Sequence, residues 1–589
     1  MGDYEAEQQK LLNLWEYADT LDSNTEREEP FIDTDSDVEE TDHMSERSEA
    51  SDTEQEISDD ELPDEEIAGN TGARYIWGAD KKTKWAETPP NPNVRTRQEN
   101  IIIHLPGTKN AAKLVKSPKE CWELFIDNDI IDCIVMWTNQ LIDVKSANYT
   151  KKSQVGSTTP AEIKALIGLL YMAGRMKGGR LNLEDLWADD GTGIDIFRAT
   201  MPLGRFYFLL CCLRFDNREN RNERSLLDKL APIRSFLDKF VENCQQYYIP
   251  SEYLPIDEKL ERFRGKCGFR HFIPNKPAKY GLKVFALVDS KTFYVLNLEV
   301  YVGVQPEGPY SVSNKPMDIV CRLVTPIAGS RRNITFDNWF TSYELLIKLL
   351  KDYKLTSVGT VRKNKRQIPN EILIVKNRPE KTSKFVFQTD VTLVSYVPKK
   401  NKNVLIMSTL HHDNNIDPST GELNKLELIT FYNMTKGGVD TVDQLSATYD
   451  VSRNSRRWPL TLFFSFLNTA GINAFVLYLN NNEEKNKRRY FIKELSLALV
   501  KQHHMNRFPK PKVRLIVRRK ISDMTHEPIP CRSEADEKRQ RTSSRCHICP
   551  RKKDRKTHYV CTRCKCYICL KHAAQICVQC KNLDSQESD

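Results

Sequence analysis

Tyr253-Leu254-Pro255-Ile256-Asp257-Glu258-Lys259-Leu260 is apolar and strand-like, yet it carries an aspartate at its centre. Strands deplete aspartate, and a buried carboxylate persists only where positive charge offsets its lost hydration. The anomaly recurs in a second apolar run, Asn333-Ile334-Thr335-Phe336-Asp337-Asn338-Trp339-Phe340. It recurs again in Lys436-Gly437-Gly438-Val439-Asp440-Thr441-Val442-Asp443, where a helix-like stretch opens past a Gly-Gly pair. A divalent metal is the strongest counter-charge for three such carboxylates. Their convergence from two strands and a helix makes a magnesium site for phosphoryl transfer, in which two ions activate the nucleophile and stabilise the leaving oxygen. Taken singly, each aspartate is more ordinarily a solvated group or a helix cap. The reading rests on the three together. Asp443, three residues after Asp440, shares its helix face and is a further ligand, an outer-shell group, or a surface residue favoured by the helix dipole.

The surrounding pattern sets the fold class. Tyr253–Arg264, Leu282–Val288 and Phe293–Val302 are strand-like, with Asp289-Ser290-Lys291 as a hairpin turn. A helix over Met317–Ala328, a strand Ile334–Phe336, a helix Ser342–Leu350 and a strand Thr356–Val361 follow. Three antiparallel strands and then alternating helix and strand suit an RNase H-like mixed sheet. Its first part is residues 252–362. A basic, β-rich insertion occupies 363–426, with strands over Lys384–Gln388, Val391–Val397 and Val404–Thr409. The core resumes over 427–451, at Leu428–Tyr432 and the helix from Val439.

Helical segments flank this core, residues 116–251 and 452–525, and read as two parts of one domain. Ser117-Pro118-Lys119-Glu120 is a capped helix start, and Thr159-Pro160-Ala161-Glu162 another. Leu460–Leu479 is long enough to span a membrane, but Thr461, Ser465, Asn468, Gly471 and Asn473 mark it as a buried core helix, so no membrane association is expected. The fold class is thus α+β and multidomain. Residues 1–70 read as a disordered acidic tail, 71–115 and 526–544 as linkers, and 545–582 as a metal module.

The net charge of +8 hides an asymmetry: residues 1–70 hold 26 Asp and Glu against 3 Lys and Arg, leaving the remainder strongly basic. An acidic tail on a basic body points to a polyanion partner, most simply nucleic acid, or equally to an ordinary basic protein with a solubilising tail. Being tethered, the tail is expected to compete with DNA phosphates. Basic clusters flank the acidic segments, as phosphate-positioning groups would: Lys276 and Lys279; Arg362, Lys363, Lys365 and Arg366; Arg453, Arg456 and Arg457. Each cluster alone is equally well a solvated face. Trp339 reads as core, and two groups read as decoys. Asp289 belongs to its turn, and His411-His412-Asp413 to a solvated loop.

Eight of the 16 cysteines fall between Cys546 and Cys580, and no apolar leader is visible, so a reducing compartment and metal binding are expected. Cys546-x2-Cys549, Cys561-x2-Cys564, Cys569-x2-His572 and Cys577-x2-Cys580 supply ligands for two tetrahedral Zn²⁺ ions per chain. The short gap between the second and third pairs favours a cross-brace. One zinc takes Cys546, Cys549, Cys569 and His572; the other takes Cys561, Cys564, Cys577 and Cys580. Arg551, Lys552 and Lys553 belong to a basic run that suits nuclear import, DNA phosphates, or both.

The segments around Asp257, Asp337 and Asp440, together with Arg262-Phe263-Arg264-Gly265, Ile273-Pro274-Asn275-Lys276-Pro277 and Thr435-Lys436-Gly437-Gly438, closely resemble the piggyBac transposase family over roughly 115–580. The resemblance implies a nuclear, homodimeric cut-and-paste DNA transposase that joins transposon ends to TTAA targets. In it, Asp257, Asp337 and Asp440 hold two Mg²⁺ or Mn²⁺ ions, Asp443 is a fourth required aspartate, and the split helical region serves dimerisation and DNA binding. It also implies that the cysteine-rich module recognises transposon-end DNA. Two other readings stand beside it. One is a domesticated, non-cutting DNA- or chromatin-binding descendant; the other is a zinc-module ubiquitin ligase or histone reader, which leaves the aspartates unexplained.

Overall fold

The apolar alternation of residues 253–300 becomes the centre of one large mixed sheet. The structure, a computed structural model, describes residues 75–90, 101–102, 104–149, 154–178, 181–274, 276, 278–483, 486–510, 513–527, 543–550, 553, 555–561 and 566–573, with two-residue strands at 45–46 and 55–56. Apart from those two short strands, the expected acidic tail and most of the 526–544 linker therefore lie outside the described residues. In chain order the strands used below are β1 (Tyr75–Trp77), β2 (Lys84–Ala86), β3 (Tyr253–Arg262), β4 (Arg270–Phe272), β5 (Tyr280–Val288), β6 (Val295–Val300), β7 (Asn333–Phe336), β8 (Thr356–Thr360), β9 (Thr382–Phe387), β10 (Thr392–Val397) and β11 (Lys402–Ser408).

β6, β5 and β3 pair antiparallel, and β3, β7 and β8 pair parallel, so the first strand of the core lies in its middle. Phe336 stands opposite Ile256. Asp337 and Asp257 are therefore the next residues on two neighbouring parallel strands. β8 does not end the sheet: β11 pairs with it antiparallel, followed by β10, β9, β2 and β1. The insertion thus continues the core sheet, and β11 covers backbone groups that an edge strand would leave open.

The expected linker over 71–115 does not describe β1 and β2. Trp85 on β2 is fully buried, donates Nε1 to the Gln367 carbonyl at 2.9 Å, and meets Tyr343 edge-on at 6.3 Å. Three-residue strands carry too little alternation to register in sequence.

Among the described helices are α1 (Pro118–Glu123), α2 (Asn128–Lys145), α3 (Pro160–Arg175), α4 (Leu203–Cys212), α5 (Arg234–Gln246), α6 (Pro316–Val324), α7 (Tyr343–Lys351), α8 (Glu427–Lys436), α9 (Gly438–Thr448), α10 (Trp458–Asn481), α11 (Arg488–Arg507) and α12 (Leu515–Thr525). Ser117 and Glu120 form the reciprocal cap at the start of α1. Leu428–Tyr432 lies within α8, one helix before α9.

α10 is long and apolar enough to cross a membrane, but 94% of its apolar window is buried inside the protein. Ser465, Asn468, Thr469 and Asn473 on it are all hydrogen-bonded. Asn473 donates to the Val295 carbonyl at 2.9 Å and accepts from the Val295 amide at 2.8 Å, where the β5–β6 ladder skips a residue. Trp122 donates to the Tyr171 hydroxyl at 2.9 Å, and Tyr171 donates to the Leu467 carbonyl, joining α1, α3 and α10.

The chain divides into two compact units, Met1–Phe197 with Met201–Val500, and Arg198–Thr200 with Lys501–Asp589. The expected helical segment 452–525 is therefore split inside α11. Residues beyond 500 gather instead around Arg198–Thr200: Ala199, Phe508 and Ile521 form a small apolar cluster, and Thr200 Oγ1 lies 2.8 Å from His504 Nε2.

Gly438 lets α9 approach β3, because a Cβ there would stand 2.6 Å from Cγ of Pro255. A proline ring cannot swing aside. Gly438→Ala is expected to push α9 off β3 and cost about 1–3 kcal/mol, seen as a lower denaturant midpoint with an unchanged slope. An unchanged midpoint would show that the contact has room to relax.

Candidate active site

Side chains alternate along β3, so Asp257, Lys259 and Glu261 share one face. Asp257 accepts a hydrogen bond from the Glu258 amide at 2.7 Å. Asp337 sits just past β7 and accepts from the Trp339 amide at 3.0 Å. The Trp339 ring is stacked on Phe285, with centroids 5.4 Å apart, so it supports the loop as part of the packing. Asp440 lies in the first turn of α9, with its side chain 67% exposed. These three aspartates line one cavity, together with Thr360, Tyr432 and Lys436.

Burial, then the nearby charges of Glu258 and Asp337, holds Asp257 well above the ordinary carboxylate range, and Lys276 opposes the shift. Asp337 is pushed up to about 6 by burial and by Glu258, against the amides of Trp339 and Phe340 and the charge of Lys283. Two like charges are thus enclosed side by side, an arrangement that favours a cation between them. Hard oxygen donors of this kind fit Mg²⁺. The triad is open: among the described residues, only the C-terminal Cys/His group brings three or more metal-binding side chains within 4.8 Å of one another. Lys276 Nζ lies 3.4 Å from Asp440 Oδ1 and donates to the Glu258 carbonyl at 3.1 Å. Asp443 is on the same helix but faces Lys259, whose Nζ is 3.6 Å from its Oδ1. Burial pushes Asp443 up to about 6, with Lys259 and Lys276 opposing. Lys259 escaped the sequence reading, although β-alternation alone puts it on the face of Asp257.

Lys276 and Arg362 stand at the cavity, Arg362 donating Nε to Asn338 Oδ1 at 3.4 Å. Lys279, Arg366 and Arg456 are exposed, Lys365 is partly exposed, and Lys363 is half-buried, with its ammonium pulled below the ordinary lysine range by burial. Arg453 and Arg457 are corrected by the structure. Arg453 is buried and donates to the Gly178 carbonyl at 2.7 Å. Arg457 donates to the carbonyls of Leu210, Cys211 and Leu213 at the end of α4. Guanidinium groups satisfy helix ends as readily as phosphates, and sequence does not separate the two uses. Lys553 is exposed, while Arg551 and Lys552 lie outside the described residues.

Asp289 is a turn residue, accepting from the amides of Ser251 and Lys291 and from the Ser251 hydroxyl. His411 is not in a solvated loop as expected. It packs edge-on against Phe431 at 4.9 Å, and burial lowers it to about 4.

In the second unit, Cys546, Cys549, Cys569 and His572 converge within 4.8 Å, the first and third ligand pairs together. Cys549 Sγ lies 3.7 Å from Cys569 Sγ, and the three sulfurs lie 3.4–3.6 Å from His572 Nδ1. A tetrahedron with metal–sulfur bonds of about 2.3 Å has edges of about 3.8 Å, so the spacing fits a four-coordinate zinc. The backbone amide of Cys569 donates to Cys546 Sγ at 3.2 Å and orients it. Of the other expected ligands, Cys561 is described but joins no such group, and Cys564, Cys577 and Cys580 lie outside the described residues.

The sequence profile of the transposase IS4 family matches residues 117–475, which include all four aspartates. The chain belongs to that family, in its piggyBac-type branch. A piggyBac transposase synaptic complex with hairpin DNA, solved by cryo-electron microscopy, is similar over 81% of this chain and 100% of that one, with 36% identity and a TM-score of 0.72. Human piggyBac transposable element-derived protein 3 is 23% identical over 372 residues, and human piggyBac transposable element-derived protein 2 is 22% identical over 382. The chain spans about 60% of the length of these curated relatives.

Two outcomes follow, one for each cluster. Asp257→Asn removes one of two half-buried like charges, so in EDTA at neutral pH the variant is expected to melt about 2–4 °C above the parent. Mg²⁺ is expected to raise the melting temperature of the parent but not of the variant. Equal responses to Mg²⁺ would refute a metal held by Asp257. Cys569→Ser is expected to release about one zinc equivalent per chain and unfold the short hairpin Ser544–Arg545/Lys556–Thr557, without lowering the melting transition of the unit ending at Val500. Retention of full metal content would contradict the assignment.

Proposed function

We propose that this chain is a metal-dependent cut-and-paste DNA transposase acting as a nuclear homodimer on transposon ends and TTAA targets. One observation carries the reading: Asp257, Asp337 and Asp440, from two parallel strands and a helix, line a single cavity. The sheet order β6–β5–β3–β7–β8 has the RNase H-like pattern, and the similarity to a DNA-bound piggyBac complex supports duplex DNA as the substrate. The basic run ending at Lys556 supports nuclear import, and the homodimer and TTAA target are carried over from the family.

Asp257, Asp337 and Asp440 would hold the divalent metal, which when bound would supply Lewis-acid stabilisation of the attacking and leaving oxygens. The protein's own groups do the rest. Asp257 and Asp337 are fixed by backbone amides and cannot drift with solvent. Trp339 keeps the Asp337 loop against the sheet. Lys276 and Arg362, at the rim, position phosphates, and the exposed Lys279, Arg366 and Arg456 extend the track. Zn²⁺ in the C-terminal group folds a module that reads transposon-end DNA, with Lys553 on its surface and Arg551 and Lys552 beside it in sequence.

The test is excision of a marker flanked by the genomic sequences that border the chain's own gene. The parent is expected to excise it, and Asp257→Asn, Asp337→Asn and Asp440→Asn are each expected to leave less than a few per cent of the cleavage, with folding and most DNA binding intact. Each substitution removes one ligand oxygen while nearly preserving shape. Substantial cutting by two of the three variants would overturn the site. DNA binding by a parent that never cuts would instead support a domesticated binding protein.

A further inference from the structure

Of the four expected catalytic aspartates, Asp443 alone does not line the cavity of the other three. Its carboxylate meets a lysine instead. Lys259 Nζ stands 3.6 Å from Asp443 Oδ1 and 3.2 Å from Glu261 Oε1, and Lys259 is only 1% exposed. Glu261 Oε1 also accepts the Ser465 hydroxyl from α10 at 2.6 Å. A single enclosed ammonium therefore ties together three elements: β3 two residues beyond Asp257, α9 three residues beyond Asp440, and α10 through Glu261. A charge this deep persists only when carboxylates surround it, and removing one partner leaves the other unpaired. Asp440 and Asp443 share a helix face, so anchoring one sets the position of the other.

We propose that Lys259 is a positioning residue of the active site, which engages Asp443, keeps it out of the metal's ligand set, and so fixes the face of α9 that presents Asp440. The proposal rests on the reading of Asp257, Asp337 and Asp440 as the metal site. Asp443 then acts through an ion pair.

The experiment uses the full-length, zinc-loaded protein. Mn²⁺ binding is measured by calorimetry, and DNA cleavage at saturating Mn²⁺. Asp440→Asn is expected to weaken Mn²⁺ binding about tenfold or more, whereas Asp443→Asn changes it less than about threefold while lowering cleavage about 10–100-fold. Lys259→Gln is expected to lower cleavage by a factor similar to that of Asp443→Asn. The double variant should be no worse than either single one, because both remove the same contact. Glu261→Gln, which keeps the Lys259–Asp443 pair, is expected to cost less than Lys259→Gln.

An Asp443→Asn variant that loses Mn²⁺ affinity as Asp440→Asn does would make Asp443 a ligand and overturn the proposal. So would single effects that multiply in the double variant, or a Glu261→Gln loss equal to that of Lys259→Gln, which would reduce the lysine to core packing. Should Lys259→Gln fail to fold, the Mn²⁺ affinity of Asp443→Asn decides by itself. Unchanged Mn²⁺ binding by Asp440→Asn would refute the metal site itself, a distinct failure that takes the proposal with it.

Discussion

The parallel pairing of β7 with β3 is the constraint on which the site depends. It sets Phe336 beside Ile256 and thereby delivers Asp337 and Asp257 side by side into an enclosed space. Two carboxylates held this way repel one another, and each is disfavoured by its loss of water. A fold selected for stability alone would replace at least one of them. Holding both costs folding energy, which a cation bound between them would offset.

That cost is borne by the apolar mass behind the sheet. α10 runs through the larger unit almost wholly buried, and its few polar side chains close the gaps that the backbone leaves. Asn473 repairs the interrupted edge of β6, Leu467 receives the Tyr171 hydroxyl, and Ser465 reaches Glu261. The same helix that closes the core thus supports the charged row on β3. The Gly438–Pro255 contact sets how near α9 comes, and the Lys259–Asp443 pair adds a second tie between the same two elements.

The C-terminal unit solves a different problem. Its described segments are short, and its hairpin has two residues per strand, too little to bury a core. Four side chains at tetrahedral spacing would replace that core with coordination bonds on binding a metal, and for a module of this size that binding is folding energy.

Much of this was legible in the sequence, and for identifiable reasons. Aspartate inside an apolar strand is rare, so Asp257 and Asp337 could be picked out before any fold was known. Cys-x2-Cys and Cys-x2-His spacing states its ligands directly, and the capped start at Ser117 declares its helix. What chain order cannot carry is which partner a charged or aromatic side chain meets. Arg453, Arg456 and Arg457 are one basic cluster in sequence, yet Arg453 and Arg457 serve backbone carbonyls while Arg456 faces outward. Trp85 looked like part of a linker and is a buried anchor. Asp440 and Asp443 share a helix face, but only tertiary packing gives one to the cavity and the other to Lys259. Local pattern determines where charge is out of place; the pairing of strands and helices far apart in sequence decides what that charge can hold.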